Sequence, residues 1–219
     1  MDRITDAFTW PTRDPEWLAK LLIIALTLLI PIVGAINGLG WMLASLDRLR
    51  AGEEKLAPAN LTYIGRGFRL FVVNLVYGLG VVLVAALIYV PAVLVATNQS
   101  HGSANPALVS LAILLSLLAF SVATLGSLGL NFAIPSIVLA TDRDGIRGGL
   151  NAGAVLRRAR ANIANTLIAG LMLIAAGFIG SLGVVACGIG VLFTTAYALA
   201  MQAWVIRSFE VGSPAAQAA

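Results

Sequence analysis

The sequence predicts an all-α integral membrane protein with about five transmembrane helices, several kinked at Pro or Gly, and with short interfacial helices. Three observations predict it. Of 219 residues, 59% are hydrophobic and 11% charged, and the mean hydropathy is +0.94; an average soluble domain carries roughly 25% charged residues. Three long stretches, 21–46, 70–141 and 161–206, contain no charged side chain. Within them apolar residues face all directions rather than alternating, which argues against a barrel. Lipid offers the backbone no hydrogen-bond partner, so such stretches must be helical.

Taken in order, residues 1–17 read as an interfacial N-terminal segment. Its Asp2, Asp6, Asp14 and Glu16, followed by a long apolar run, are unlike a secretory signal peptide. Residues 18–209 read as one transmembrane helical domain, and 210–219 as a flexible C-terminal tail. The first span is expected near 19–46, with the break at Pro31–Gly34 leaving open whether it crosses or re-enters. The second stretch is divided by the polar turn 98–106 into spans near 70–97 and 107–139, which carry Pro91 and Pro135. The third would make a helix of about 69 Å, so it must fold back. The Gly-rich 183–190 is the place to do so, giving spans near 163–184 and 189–207. Residues 149–162 read as a short interfacial helix.

The connecting segments differ sharply in basic content. Segment 47–69 carries Arg48, Arg50, Lys55, Arg66 and Arg69; segment 142–160 carries Arg143, Arg147, Arg157, Arg158 and Arg160; segments 98–106 and 183–190 carry no Lys or Arg. The positive-inside rule then puts both basic loops and the C-terminus on the cytoplasmic side of a bacterial or archaeal cytoplasmic membrane. Five crossings would leave the N-terminus outside, against the weak pull of Arg3, Arg13 and Lys20. Both basic loops open alike, with Asp47-Arg48 and Asp142-Arg143.

The interior lacks the groups that carriers and enzymes place in membranes. Every acidic residue lies in a loop or tail, so a proton relay, general acid–base catalysis and metal hydrolysis have no residues to work with. The one cysteine, Cys187, lies among apolar and Gly residues and reads as a small hydrophobe; the one histidine, His101, sits in a polar turn. No catalytic residue, metal ligand or cofactor is therefore expected. What remains inside is neutral: Asn37, Asn74, Asn131, Thr166, Thr194, Thr195, Tyr197 and Gln202 could hydrogen-bond between helices.

Small residues recur at helix-contact spacing, in Gly34/Gly38, Ala119/Ala123, Ala176/Gly180 and Ala196/Ala200. Of these, Gly34, Gly38, Ala176 and Gly180 are candidate helix-packing positions. Arg157, Arg158 and Arg160 are candidate contacts for anionic-lipid headgroups, against the plainer reading of a positive flank. Trp10, Trp17, Trp41 and Trp204 read as interface anchors.

One pattern extends beyond composition. Ala7-Phe8-Thr9-Trp10-Pro11 with Asp14-Pro15 and Trp17-Leu18 leads into an apolar run bearing Pro31, Gly38 and Gly40. Arg48-x-Arg50-x-Gly52, Gly67-Phe68-Arg69 and Val76-Tyr77 follow. This resembles the bacterial and archaeal membrane-protein family catalogued as domain-of-unknown-function family 4013. The resemblance is carried by the first eighty residues and continues more loosely at Cys187-Gly188-Ile189-Gly190. It implies a polytopic architecture and supplies no catalytic residues.

These readings lead to a non-catalytic accessory or scaffolding subunit of a larger membrane complex. Its partners would be the lipid bilayer and other membrane-protein subunits, with no nucleic acid. The alternative is a transporter or channel for a neutral or lipid-like solute, its path lined by helices broken at Pro31, Pro91, Pro135 and 183–190.

Overall fold

A computed structural model describes residues 4–99, 105–184 and 190–212. His101, Cys187, most of both non-basic turns and residues 213–219 of the expected tail lie outside the described residues. Among the described residues the chain is all helical. After two 3₁₀ turns, Ile4–Phe8 and Trp10–Arg13, come α1 (Trp17–Leu28), α2 (Val33–Arg50), α3 (Ile64–Gln99), α4 (Pro106–Leu150), α5 (Ala152–Ala161), α6 (Ile163–Leu182) and α7 (Gly190–Val211). The expected all-α fold is what forms. Among the described residues three helices are long and apolar enough to cross a membrane: α3 over Ile64–Asn98, α4 and α6.

The first apolar stretch is not one helix. Pro31 ends the helical ladder, and Ile32 takes φ 63°, ψ −59°, with the Val33 N–H donating to the Pro31 carbonyl at 2.6 Å. This is a γ-turn of the strained hand, rare for a β-branched residue. Beyond it the backbone of Gly34 lies against Thr27 and Leu28, where a Cβ would come within 2.1 Å of the Thr27 carbonyl oxygen. Lys20, in the first turn of α1, reaches the Leu56 carbonyl at 3.5 Å. The neighbouring Ala57 is bonded through its N–H to Ser45 Oγ and through its carbonyl to the Trp41 indole N–H. A straight helix would hold residues 20 and 45 about 37 Å apart. The stretch 19–46 therefore doubles back as a helix pair, at the Pro31–Gly34 break where the sequence leaves crossing and re-entry open. Alone, α1 is about 18 Å long, too short for the hydrocarbon core.

The expected interfacial helix is α5, held at its start by Asn151, whose side-chain oxygen accepts from the Ala154 N–H at 3.0 Å. Asn162 likewise caps α6 through the Asn165 N–H at 3.0 Å. Pro91 and Pro135 lie inside α3 and α4 without ending them. The sharp bend in α4 falls instead at Gly145, with φ 67° and ψ −159°, a conformation open to Gly and closed to L side chains.

The chain divides into two compact units: residues 1–73 with 131–219, and residues 74–130. The core of the first gathers on α7, where Ala196, Ala200, Met201, Ala203, Val205 and Ile206 are buried with Trp10, Trp41, Leu21, Ile24 and Leu46. Trp10 and Trp41 are fully buried, and each indole N–H is satisfied, by the Ala200 carbonyl at 3.1 Å and the Ala57 carbonyl at 3.0 Å. Trp10 also stacks on Trp204, with ring centroids 5.8 Å apart. These tryptophans are core residues with partners for their polar edge, which corrects the expectation of interface anchors.

The second unit holds the C-terminal part of α3 and the N-terminal part of α4. They pack through small residues: a Cβ on Gly126 would meet Val81 at 2.9 Å, and Ala119 is buried. Most of the large apolar side chains here are exposed, among them Val82, Leu83, Leu87, Leu114, Phe120 and Leu125.

Candidate functional site

The most organised polar feature joins the ends of four helices in the first unit. Asp47 and Arg50 stand in the last turn of α2, Arg66 in the first turn of α3, Asp142 in α4 just before the Gly145 bend, and Glu210 in the last turn of α7. Arg50 binds Glu210 through two parallel hydrogen bonds, Nε to Oε2 at 2.9 Å and Nη2 to Oε1 at 3.1 Å. Its Nη1 reaches Asp142 at 2.7 Å and Asp47 at 3.1 Å. Arg66 completes the network, with Nη2 2.6 Å from Asp142 and Nη1 donating to Asp47. Arg207 and Arg143 add contacts to Glu210 at 3.1 and 3.3 Å.

Three carboxylates thus face two central arginines, and the planar guanidinium allows each arginine to bridge two or more helices at once. Burial works to raise the Glu210 carboxyl, but the hydrogen bonds and charge of Arg50, with Arg207, outweigh it and hold Glu210 below the ordinary carboxylate range. Burial works the other way on Arg50; Glu210 and Asp142 overcome it and hold the guanidinium more firmly protonated. Beside the network lies a pocket of about 390 Å³, lined by Leu43, Arg66, Arg69, Thr141 and Asp142.

A second polar anchor ties the N-terminal segment to the loop after α2. The side chain of Asp14, 2% exposed, binds Lys20 Nζ at 2.7 Å and accepts from the backbone N–H groups of Glu16 and Leu56, each at 2.9 Å. Burial again works to raise its carboxyl, and Lys20 with the two N–H donors prevails, so its pKa is lowered. Arg13 pairs with Glu54 at 2.5 Å and lies over the Trp204 ring at 5.6 Å. The N-terminal segment and segment 47–69 are therefore in direct contact.

Of the residues the sequence singles out for packing, Gly38 faces Leu199 of α7, where a Cβ would meet its side chain at 2.9 Å; at Gly180 it would meet Ala198 at 3.4 Å. Ala176 is buried with Ala198 and Met201. Among the neutral polar residues, Asn37 donates to the Asn60 carbonyl at 2.8 Å, and Thr194 to the Gly180 carbonyl at 2.6 Å. Tyr197 donates to the Phe8 carbonyl. Arg157 and Arg160 are exposed, whereas Arg158 is half-buried. The ionic network itself was not foreseen as a unit. Its signal was the repeated Asp-Arg opening of the two basic loops, since Asp47 and Asp142 both bind Arg66. Among the described residues no group of three His, Cys, Asp or Glu could hold a metal ion.

An all-helical chain with three membrane-length apolar helices and charge gathered at helix ends is a polytopic membrane protein. It belongs to the family described as "Protein of unknown function (DUF4013)", which matches residues 23–189. No curated protein and no solved structure matches the chain.

Proposed function

We propose that the protein is a non-catalytic accessory or scaffolding subunit of a larger assembly in a bacterial or archaeal cytoplasmic membrane. One observation carries this reading: the helices of residues 74–130 carry glycines that no described residue packs against. A Cβ added at Gly78, Gly80 or Gly129 would meet no atom within 4 Å. Glycine weakens a helix by about 1 kcal/mol relative to Ala, and in lipid its benefit is close approach of a neighbouring helix. The most apolar window of α3 is 6% buried and that of α4 11%, against 33% for α6. In the first unit Gly34, Gly38 and Gly67 are each met by a partner element of the same chain, while Gly65 and Gly177 are open like those of residues 74–130.

The ionic network fits this role as a rigid clasp. It draws together the segments that the basic-residue count assigns to the cytoplasm, 47–69, 142–160 and the end of α7. Because the first stretch doubles back and Arg13 and Asp14 contact Glu54 and Leu56, we place the N-terminal segment on that side too.

Extraction in mild detergent followed by native mass spectrometry tests the reading. A stoichiometric complex of this chain with other membrane subunits is expected; a strictly solitary monomer contradicts it. One feature favours the second reading, a path for a lipid-like solute. It is an apolar groove of about 380 Å³ in residues 74–130, lined by residues including Ala85, Tyr89, Ser116, Phe120 and Ser127. Protein-dependent lipid flux in reconstituted vesicles, abolished by Ala85→Trp, would decide for it.

A further inference from the structure

We propose that Arg158 is a binding residue for a phosphate-type oxyanion, supplied by a lipid headgroup or by free phosphate. The Nη1 of Arg158 is buried and has no hydrogen-bond partner among the described residues. A guanidinium does not shed its charge in a protein, and on this half-buried side chain the unpaired Nη1 is a donor that an anion would satisfy. Its surroundings sharpen the requirement: burial first, and then the positive charge of Arg143, both loosen its hold on its proton.

Asp144 and Glu210 act on it through charge alone, and neither bonds its Nη1. Glu210 is already engaged by Arg50, Arg143 and Arg207. Asp144 also attracts Arg158, but it forms no ion pair among the described residues. Asp142, the other acid of this segment, is held by Arg50 and Arg66. The guanidinium fork matches two phosphoryl oxygens. Position supports the assignment: Arg158 lies on the short helix α5, which buries Val155 and exposes Leu156 and Arg157, as an interfacial helix does at headgroup depth. Of the three arginines in Arg157-Arg158-x-Arg160, the structure selects the middle one.

The test uses the full chain in a neutral detergent free of phosphate, and in nanodiscs of phosphatidylcholine alone or with phosphatidylglycerol. In the neutral, anion-free detergent Arg158→Gln should unfold at the same temperature as the native chain or above it, because an unpaired cation has been removed. With phosphatidylglycerol the native chain should gain thermal stability and retain the lipid in native mass spectrometry. Arg158→Gln should weaken retention about tenfold, Arg158→Lys less, and exposed Arg157→Gln little. Stabilisation by millimolar inorganic phosphate in the detergent marks free phosphate as the source; a response confined to phosphatidylglycerol marks the lipid. A loss of stability of Arg158→Gln in anion-free detergent, matched by Asp144→Asn, would show an internal ion pair and overturn the proposal. Equal losses for Arg157→Gln and Arg158→Gln would overturn it as well, because they indicate a diffuse positive surface.

Discussion

Arg50 and Glu210 lie 160 positions apart in sequence and meet through two parallel hydrogen bonds of 2.9 and 3.1 Å. This pair fastens the end of α2 to the end of α7, the helix on which the core of the first unit is built. Removing either partner takes the two-point contact from the other, which stays partly buried: Arg50 keeps Asp47 and Asp142, and Glu210 keeps Arg143 and Arg207. Glu210→Gln and Arg50→Ala should each destabilise the protein by about 2 kcal/mol. Arg50→Lys should recover only part of the loss, since an ammonium cannot form the fork. Thermal unfolding in detergent gives the measurement, and a change within about 0.5 kcal/mol would mark the pair as an ordinary surface contact.

Glu210 and the separately anchored Asp14 set a pH dependence. The folded-state pKa values of Glu210 and Asp14 are lowered, so their contribution is present above the ordinary carboxylate range of about 4. It is lost as pH falls through the folded values. Stability should be flat from pH 7 to about 5 and fall below that, with a shallower fall in Glu210→Gln. Unfolding temperatures measured across pH 7 to 3.5 check the sign; an increase on acidification would contradict it.

Ile32 stores strain at the turn between α1 and α2. Ile32→Gly removes the side chain that disfavours φ 63° and should stabilise the fold by about 1 kcal/mol, partly offset by the freedom glycine adds to the unfolded chain. A clear destabilisation would show that the γ-turn is not the native conformation.

Two glycines at similar helical positions should respond in opposite ways. At Gly67 a Cβ would lie 1.8 Å from the Ile36 carbonyl oxygen, a backbone atom that cannot rotate away. Gly67→Ala should therefore cost about 3 kcal/mol or more. At Gly78 nothing stands in the way, and Gly78→Ala should stabilise the isolated chain by up to about 1 kcal/mol. Comparing the two unfolding temperatures separates the glycines that build the fold from those it leaves unused.

Much of the architecture was readable because desolvation leaves charge few places to go. The charge-free runs and the basic-loop asymmetry point to α3, α4, α6 and α7 without any tertiary contact. The first stretch was harder, since its apolar run has the length of a crossing. Pro31 marked a break, but the direction taken there depends on contacts far along the chain, from Lys20 to Leu56 and from Gly34 to Thr27. Trp10 and Trp41 flank apolar runs, as anchors do. Their burial follows from the two backbone carbonyls that accept their N–H groups, and no local pattern announces those. Arg50 and Arg66 similarly resembled ordinary positive flanks until Asp47, Asp142 and Glu210 were seen around them.

Site-specific photo-crosslinking in native membranes tests the scaffolding reading most directly. A photoreactive residue would be placed at Gly80, on the exposed surface of residues 74–130, and at buried Leu173 as a control. One discrete adduct between position 80 and another membrane protein is expected, lost when Gly78 and Gly129 are changed to Leu, and none at position 173. Adducts to lipid alone at position 80 would contradict it.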